Sequence, residues 1–366
     1  MDHRYLHDQL SQGHRVGWFE LKRKRVLSID ISSVAVKTLE LSQYKNRFQV
    51  ESFAVVPFYQ NLSISANASN TDVIADAIQT ALNQTQSWQK QAAVAISGSA
   101  VITKIITLSG ALNDSEIEEQ ILIEADQYVP YSLNEVNFDF EVQGLNKNNL
   151  EMIDVLFVAS RRENVDERVE ILSKAGLKTT LVDVEIFALE NALTLLAAVI
   201  NPKQNRTVAI VDIGATVTVL NVFYNGCFLY SNEQEFGSKP LSEELQRLGL
   251  SYSETYSQLN QTNLPALYQE EVLTPFKQSM LRQIQRSLQF FISSGTLEVD
   301  CLVLAGGCAS IKGIDELIAD SIGIPVYIAN PFLNMDSSLK INTNKLSDVA
   351  PAMMINCGLA LRSFEL

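Results

Sequence analysis

The chain has 366 residues, of which 46% are hydrophobic and 19% charged, so it can bury a large core in two or three structural units. Its net charge of −14 repels nucleic-acid phosphates, and the basic run Lys22 to Arg25 is too short to reverse this, so no nucleic-acid partner is expected. No apolar run approaches the roughly 18 residues that span a membrane. The histidines, His3, His7 and His14, all precede the first apolar segment, which argues against a histidine base or metal ligand.

The first part of the chain predicts a tail followed by a sheet. Residues 1–25 are polar and lack the apolar centre of a secretory signal, so we expect a disordered basic tail. The next segment, VLSIDISSVAVKTLELSQYKNRFQVESFAVVPF, alternates like strands and predicts an antiparallel meander. A surface helix is predicted over 71–85, where apolar residues recur on one face.

A small inserted α+β module is predicted next. The run AAVAISGSAVITKIITL, residues 92–108, predicts one strand. A helix should begin at Asp114, with Asn113 as its cap and Glu116 at the position of a capping-box carboxylate. Two further strands precede a helix that starts near Glu163, so the module has the order strand, helix, strand, strand.

A later segment repeats the first strand pair. Aligning VLSIDISSVAVKTLEL with VAIVDIGATVTVLNVF places Asp30 on Asp212 and Ser32 on Gly214, with the apolar alternation in phase. Such a repeat predicts two related half-domains that face each other across a cleft. The predicted division of the chain is a tail at 1–25, a first half-domain at 26–92, 163–205 and 346–366, a module at 93–162, and a second half-domain at 206–345 with a helical subdomain at about 237–297.

Three segments have the chemistry of a nucleotide site. Each aligned hairpin carries an Asp at a strand end and small residues in its turn, which let backbone N–H groups approach phosphates while the carboxylate binds Mg²⁺ through water. The third segment, LAGGCAS at 304–310, is a strand that runs into Gly-Gly, where a base and ribose can lie against the backbone. A lone Asp turn is usually an ordinary turn, but the three together predict a nucleotide cleft.

In this order the segments resemble the phosphate and adenosine motifs of the actin, heat-shock chaperone and sugar kinase superfamily. The resemblance implies an α/β fold of the actin-like ATPase type that binds ATP and Mg²⁺, with Asp30 and Asp212 holding the metal through water. It also implies that Lys37 reaches the phosphates and that Glu185 orients the attacking water. The implied cofactor-binding residues are Asp30, Ser32, Ser33, Lys37, Asp212, Gly214, Ala215, Thr216, Gly237, Gly306 and Gly307. The pattern alone leaves Lys37 open as a solvated strand-end lysine and Glu185 as a helix cap.

Longer strings resemble the PilM family of type IV pilus assembly proteins along almost the whole chain. Among them are ILIEADQYVPYSLNEVNFDFEV, VASRRENVDERVEIL, LAGGCASIKGIDEL and PAMMINCGLALRSFE. The resemblance implies an FtsA-type inserted module and a cytoplasmic ATP-binding scaffold, at most a slow ATPase, that supports pilus biogenesis and twitching motility. Its implied partner is the N-terminal cytoplasmic peptide of PilN, held between the module and the strands near 26–58. Through PilN it would reach the inner membrane and other pilus proteins; self-association is left open.

The sequence departs from the family pattern at two places. Ser32 stands where a glycine is usual, which would be penalised if the turn needs a positive φ, and a Gly-Gly is reduced to Gly237-Ser238. The alternative functions are an FtsA-like cell-division scaffold, a type II secretion scaffold and a small-molecule kinase. The kinase would use Asp183 as its base, and the FtsA-like filament would call for an amphipathic C-terminal helix that LALRSFEL does not provide.

Overall fold

The computed structural model describes most of the chain from Arg25 onward. The predicted tail before that residue and the middle of the predicted helical subdomain, 248–267, lie outside the described residues. The described ranges are 25–45, 47–57, 70–125, 127–146, 148–200, 206–247, 268–295 and 297–365.

Strands and helices are interleaved along the described part of the chain. The strands are β1 Leu27–Ile31, β2 Ala35–Tyr44, β3 Arg47–Pro57, β4 Gln91–Ile96, β5 Val101–Ser109, β6 Val136–Leu145, β7 Met152–Arg161, β8 Lys178–Val184, β9 Thr207–Ile213, β10 Thr218–Tyr224, β11 Cys227–Gln234, β12 Cys301–Ala305, β13 Val326–Ile328 and β14 Asp336–Ser337. The helices are α1 Asn70–Thr85, α2 Asp114–Ala125, α3 Arg162–Lys174, α4 Glu185–Leu193, α5 Ala197–Ile200, α6 Lys239–Arg247, α7 Thr274–Ser294, α8 Ile314–Ile322, α9 Thr343–Val349 and α10 Met354–Glu365.

The first half of the molecule is built on a six-stranded sheet in the order β14-β3-β2-β1-β4-β8. β1, β2 and β3 are antiparallel neighbours, which confirms the predicted meander, and β4 and β8 run parallel to β1. α1 and α3 cover one face, where Ile78 and Leu172 are fully buried. α4 and α10 cover the other face. Both faces are therefore apolar, as a sheet buried on two sides requires.

The inserted module is a three-stranded sheet, β5-β7-β6, with α2 packed on one face. The prediction of a single strand over 92–108 is wrong, because β4 ends at Ile96 and belongs to the first sheet, and only β5 enters the module. Gly98 allows the break, since a Cβ there would lie 2.7 Å from Cδ1 of Ile186. The module therefore begins near residue 98, later than the predicted boundary at 93.

The start of α2 has the predicted capping box. Asn113 Oδ1 accepts a hydrogen bond from the backbone N–H of Glu116 at 3.1 Å, and the backbone N–H of Asn113 donates to Glu116 Oε2 at 2.9 Å. This reciprocal pair satisfies backbone groups that a helix end leaves open. The helix that it starts supplies Ile117 and Ile121 to the core of the module.

The second half of the molecule repeats the first strand pair in a five-stranded sheet, β11-β10-β9-β12-β13. β9 and β10 are antiparallel, as β1 and β2 are, and β12 runs parallel to β9. α7 and α8 pack on this sheet, where Met280, Ile284 and Ile318 are buried. The predicted repeat is thus present as two equivalent hairpins in two related sheets.

The chain returns to the first sheet earlier than predicted. β14 pairs in parallel with β3 at Gln49 and Val50, so the predicted boundary at 345 lies too late. After this crossing α10 packs on α4, where Gly358 lies against the backbone of Ala188 and any Cβ at Gly358 would overlap it. This close helix contact holds α4, and the residues at its start, against the first sheet.

Candidate functional site

The turns of the two equivalent hairpins have the same backbone geometry. In the first turn the N–H of Ser32 donates to the carbonyl of Ala35 at 3.0 Å, and in the second the N–H of Gly214 donates to the carbonyl of Val217 at 3.0 Å. The structure therefore aligns Ser32 with Gly214, as the repeat in the sequence predicts. Both turns lie where an Asp-bearing strand of each sheet ends.

The first turn carries a buried ion pair. Asp30 and Lys37 are opposite each other in the β1–β2 ladder, and Lys37 Nζ lies 2.8 Å from Asp30 Oδ2. Burial lowers the pKa of Lys37, but the charges of Asp30, Asp212 and Glu185 outweigh burial and raise it above its usual value. Lys37 is therefore a fixed cation inside a group of carboxylates, which excludes the alternative of a solvated strand-end lysine.

Ser32 closes the first turn without backbone strain. Its φ is not in the left-handed region, so the expected penalty for a residue with a Cβ does not apply here. The hydroxyl of Ser32 donates to the carbonyl of Ala35 at 2.9 Å and accepts from the N–H of Ala35 at 3.1 Å. The serine therefore supplies a side-chain clamp that a glycine would lack.

The second turn has a half-buried carboxylate without a lysine opposite. Val219 occupies the ladder position across from Asp212 that Lys37 occupies across from Asp30. Burial raises the pKa of Asp212, the nearby Lys37 lowers it, and Asp30 raises it further, with a net increase. The two turns of the site thus have the same backbone geometry but differ in charge.

Gly306 lies directly against the second carboxylate. Its φ is +83°, and a Cβ would lie 2.5 Å from Asp212 Oδ1 and overlap the backbone of Ile213. Both the conformation and the space therefore demand glycine. Gly307 follows at the start of a short 3₁₀ turn, and burial raises the pKa of Cys308 in that turn to about 12, so its thiol stays protonated.

The two turns touch each other. The hydroxyl of Thr216 donates to that of Ser33 at 3.2 Å, which joins residues from the two half-domains. Behind the second turn, the N–H of Lys239 donates to the carbonyl of Ala215 at 2.8 Å. Gly237 lies so close to the backbone of Ala215 that a Cβ would overlap it. Gly237 thus supports the turn from behind, at the entry to α6.

Glu185 is the first residue of α4 and faces the same group of charges. Burial raises the pKa of Glu185 to about 7, helped by Asp30 and Asp212, while Lys37 and Arg168 act in the opposite direction. Glu185 thus lies within electrostatic reach of both turns, as the interpretation of a water-orienting residue requires. At neutral pH its carboxyl group is close to half ionised.

Arg168 is a charged residue of this site that the sequence analysis did not single out. It lies on α3 and acts electrostatically on Glu185, and its buried Nε has no hydrogen-bond partner among the described residues. A buried unpaired donor is rare and calls for an explanation. Val165 and Leu172 of α3 are buried at related helical positions, so an arginine within this apolar stripe was the available sequence signal.

Asp183, the base required by the kinase alternative, is already engaged. Its Oδ2 lies 3.0 Å from Arg362 Nε, and its Oδ1 accepts a hydrogen bond from the N–H of Val184 at 2.8 Å. Asp183 is buried, so this pair is a link between β8 and α10. A carboxylate held in this way is poorly placed to accept a substrate proton.

A pocket outside the two turns lies on the module. It has a volume of about 260 Å³ and runs along β6, which is an edge strand of the three-stranded sheet. Phe138 and Phe140 contribute to its wall, and Arg162, where α3 begins, and Glu118 of α2 contribute charged groups. Aromatic walls beside an unpaired strand edge can accept an extended peptide.

In the ranges given above, no helix is long and apolar enough to cross a membrane. The same part of the chain contains no group of three or more His, Cys, Asp or Glu side chains arranged to hold a metal ion directly.

Two related α/β halves with equivalent Asp-bearing turns and an inserted module define an actin-like ATPase fold. A family model described as type IV pilus assembly protein PilM matches residues 28–364. The chain therefore belongs to the PilM family of type IV pilus assembly proteins.

Solved structures agree with this assignment. The PilM-PilN type IV pilus biogenesis complex is 25% identical, with a TM-score of 0.75, over 94% of this chain and 100% of that chain. The ethanolamine utilization protein EutJ from Carboxydothermus hydrogenoformans is 12% identical, with a TM-score of 0.53, over 93% of this chain and 90% of that chain. The similarity to EutJ shows the shared fold alone.

Proposed function

We propose that this protein is an ATP-binding scaffold of type IV pilus assembly, which holds Mg-ATP between its two turns and binds the N-terminal peptide of PilN. The observation that carries the nucleotide site is the contact between the hydroxyls of Ser33 and Thr216. These hydroxyls come from equivalent turns of the two half-domains, so a phosphate that enters between them would replace their mutual hydrogen bond. Neighbouring backbone N–H groups of both turns would complete the grip.

The charge of the site suits a nucleotide with its metal. Asp30, Asp212 and Glu185 act on one another and on a single lysine, Lys37, and the pKa values of Asp212 and Glu185 are raised. A divalent cation would supply the missing positive charge, and Mg²⁺ commonly keeps several of its waters when it binds beside carboxylates and phosphates. Asp30 and Asp212 would hold the hydrated ion, and Lys37 would face the phosphates. The Mg²⁺ would neutralise the phosphate charge.

Hydrolysis, if it proceeds, would depend on Glu185. Its position at the start of α4 lets it accept a hydrogen bond from a water near the terminal phosphate, and Arg168 favours its ionised form. Burial and the neighbouring carboxylates favour the protonated form of Glu185 in the nucleotide-free site, and an incoming Mg²⁺ would favour the ionised form. We expect turnover to be slow at most, because a scaffold needs no flux.

The proposed partner rests on family membership and on the similar PilM-PilN complex. We place the peptide along the free edge of β6, in the pocket walled by Phe138 and Phe140. The module joins the first half-domain beside this region, where Val101 and Val158 of the module pack with Ile96, Val165 and Val184. An extended segment could add to β6 as a strand. Through PilN the protein would be held at the cytoplasmic side of the inner membrane.

A labelled peptide of the first residues of the cognate PilN tests the partner and its site together. The wild-type protein should bind it, and Phe140→Ala should weaken binding about tenfold because the pocket loses an aromatic wall. Phe290→Ala, at an exposed aromatic residue of α7, is the matched control and should bind normally. Unfolding curves should be measured for both variants. Unchanged binding by a folded Phe140→Ala protein would move the groove elsewhere, and no binding by the wild type would remove PilN as a direct partner.

A further inference from the structure

One end of the first sheet collects exposed cationic and aromatic side chains. β1, β4 and β8 are parallel, so they begin at the same end, and β2 ends there because it is antiparallel to β1. β3, antiparallel to β2, begins at this end too. We name this end the basic face; its exposed residues are Tyr44, Lys45, Arg47, Trp88, Lys90 and Lys178.

Trp88 is held outward by a fixed loop. Its side chain is 93% exposed. The residues on either side of it are bound to one carboxylate, because Ser87 Oγ donates to Glu40 Oε2 at 3.0 Å and Gln89 Nε2 donates to Glu40 Oε1 at 3.0 Å. Gln86, with φ of +51°, makes the turn into this loop. The loop thus presents an indole ring to solvent in a defined position, although the core could have buried it.

The carboxylates near the basic face are engaged. Glu40 binds the Trp88 loop, and Asp336 lies 3.8 Å from Arg47. Glu51 accepts a hydrogen bond from Ser42 and lies 3.9 Å from Arg25. Lys90 and Lys178 belong to adjacent strand starts, joined by a backbone hydrogen bond of 2.7 Å from the N–H of Lys178 to the carbonyl of Lys90. Five cationic side chains, Arg25, Lys45, Arg47, Lys90 and Lys178, stand against the three carboxylates Glu40, Glu51 and Asp336, which leaves an excess of two positive charges on a chain whose net charge is −14.

The sequence next to β1 is also basic. Arg25 immediately precedes the strand β1 that starts there, and Lys22, Arg23 and Lys24 precede Arg25 in the chain. A charge distribution of this kind, positive at one end of an acidic protein, favours contact with a negative surface through that end alone.

We propose that the basic face binds the surface of an anionic lipid bilayer. Lysine and arginine are attracted to negatively charged headgroups, and tryptophan settles at the boundary between headgroups and acyl chains. Asp30 lies at the other end of β1, so the nucleotide turns would point away from the bilayer. This inference goes beyond the proposed function, because it gives the protein a direct lipid contact in addition to PilN.

Flotation of the full-length protein with vesicles tests the charge requirement. Vesicles of phosphatidylglycerol and phosphatidylcholine in equal parts should carry the protein at low salt, and pure phosphatidylcholine vesicles should not. Each basic side chain near an anionic surface strengthens binding roughly fivefold, so Lys90→Glu with Lys178→Glu should weaken it by more than about tenfold. The matched control is Lys312→Glu with Lys345→Glu, which reverses two exposed lysines near the 3₁₀ turn after β12 and should bind like the wild type.

Tryptophan emission tests the position of the face. The chain has two tryptophans, so Trp18→Phe leaves Trp88 as the sole reporter. Anionic vesicles should shift its emission to shorter wavelength, and lipids with a quencher on the acyl chain should reduce it. Flotation without any change in Trp88 emission would assign binding to the N-terminal basic run and overturn the proposal. The proposal would also be overturned if the protein did not float with anionic vesicles. It would be overturned as well if a single-stranded oligonucleotide, and not the vesicles, shifted the emission of Trp88.

Discussion

The two hairpin turns of the site have the same backbone geometry but different charged side chains. Each is closed by an N–H to carbonyl hydrogen bond of 3.0 Å, and each follows an Asp, which is buried in the first turn and half-buried in the second. In the first turn Lys37 neutralises Asp30, whereas in the second Val219 stands in the same ladder position and Asp212 is packed against Gly306. The first of the two equivalent turns is therefore balanced in charge, and the second has an excess of negative charge.

This difference gives each half a separate role. The balanced turn can hold its lysine in place before any ligand arrives, because the ion pair with Asp30 already fixes it. In the unbalanced turn the pKa of Asp212 is raised, and an incoming cation would lower it. Substitutions that make one turn resemble the other, or that remove a residue on which only one turn depends, test this division.

The largest effect is expected from Lys37→Val, which gives the first turn the residue of the second. Asp30 would be left buried without its partner, at a cost of about 3 kcal/mol in the free energy of unfolding at neutral pH. Adding Asp30→Asn removes the stranded charge and should recover most of the loss. Urea unfolding of both variants measures this, and a loss below about 1 kcal/mol for the single variant would show that the pair is not essential to the first turn.

Gly306→Ala should damage the second turn alone. The added methyl group meets Asp212 and the backbone of Ile213 at a positive φ, and we expect a loss of about 2 kcal/mol in the free energy of unfolding. Gly313→Ala is the matched control, since its φ of +70° is similar but its Cβ would meet nothing within 4 Å. Its cost should be about 1 kcal/mol. Equal losses in the free energy of unfolding of the two variants would mean that the contact with Asp212 does not contribute to the cost.

Glu185 lies between the turns and links the comparison to pH. Its pKa is about 7 in the folded protein against 4.5 ordinarily, so the folded state binds the proton more tightly than the unfolded chain does. The stabilising contribution of this group is therefore full below about pH 4.5 and is lost as the pH rises through 7. Without nucleotide, the free energy of unfolding of Glu185→Gln, relative to that of the wild type, should therefore rise by about 2 kcal/mol from pH 5 to pH 8.

Glu163→Gln is the control, because it makes the same substitution at an exposed position at the start of α3. Urea midpoints at the two pH values provide the comparison. A Glu185→Gln protein that loses stability relative to the wild type on raising the pH would reverse the sign and remove the buried-carboxyl interpretation.

The smallest effect is expected from Ser32→Gly, which gives the first turn the glycine of the second. The turn would lose the hydroxyl clamp on Ala35 and gain freedom in the unfolded chain, a loss of about 1 kcal/mol in the free energy of unfolding. Nucleotide affinity should fall slightly for the same reason. An increase in stability, measured by thermal unfolding, would show that the serine does strain the turn.

Much of this site could be predicted because its signals are local. The repeat aligned Asp30 with Asp212, and the Gly-Gly after an apolar strand marked the third segment. The break between β4 and β5 was missed, since the apolar alternation continues through it and the need for Gly98 comes from Ile186, far along the chain. Arg168 was missed for a similar reason: its unpaired Nε and its effect on Glu185 arise only when α3 and α4 pack together.

Calorimetric titration of the purified protein with Mg-ATP tests the central claim most directly. The account predicts one nucleotide bound per chain, and affinity at least about tenfold lower in the Asp30→Asn, Lys37→Val double variant, which should remain folded but lacks both charges of the first turn. Binding should also weaken when Mg²⁺ is removed. Absence of heat at millimolar ATP, or undiminished affinity in the folded double variant, would contradict a nucleotide site between the two turns.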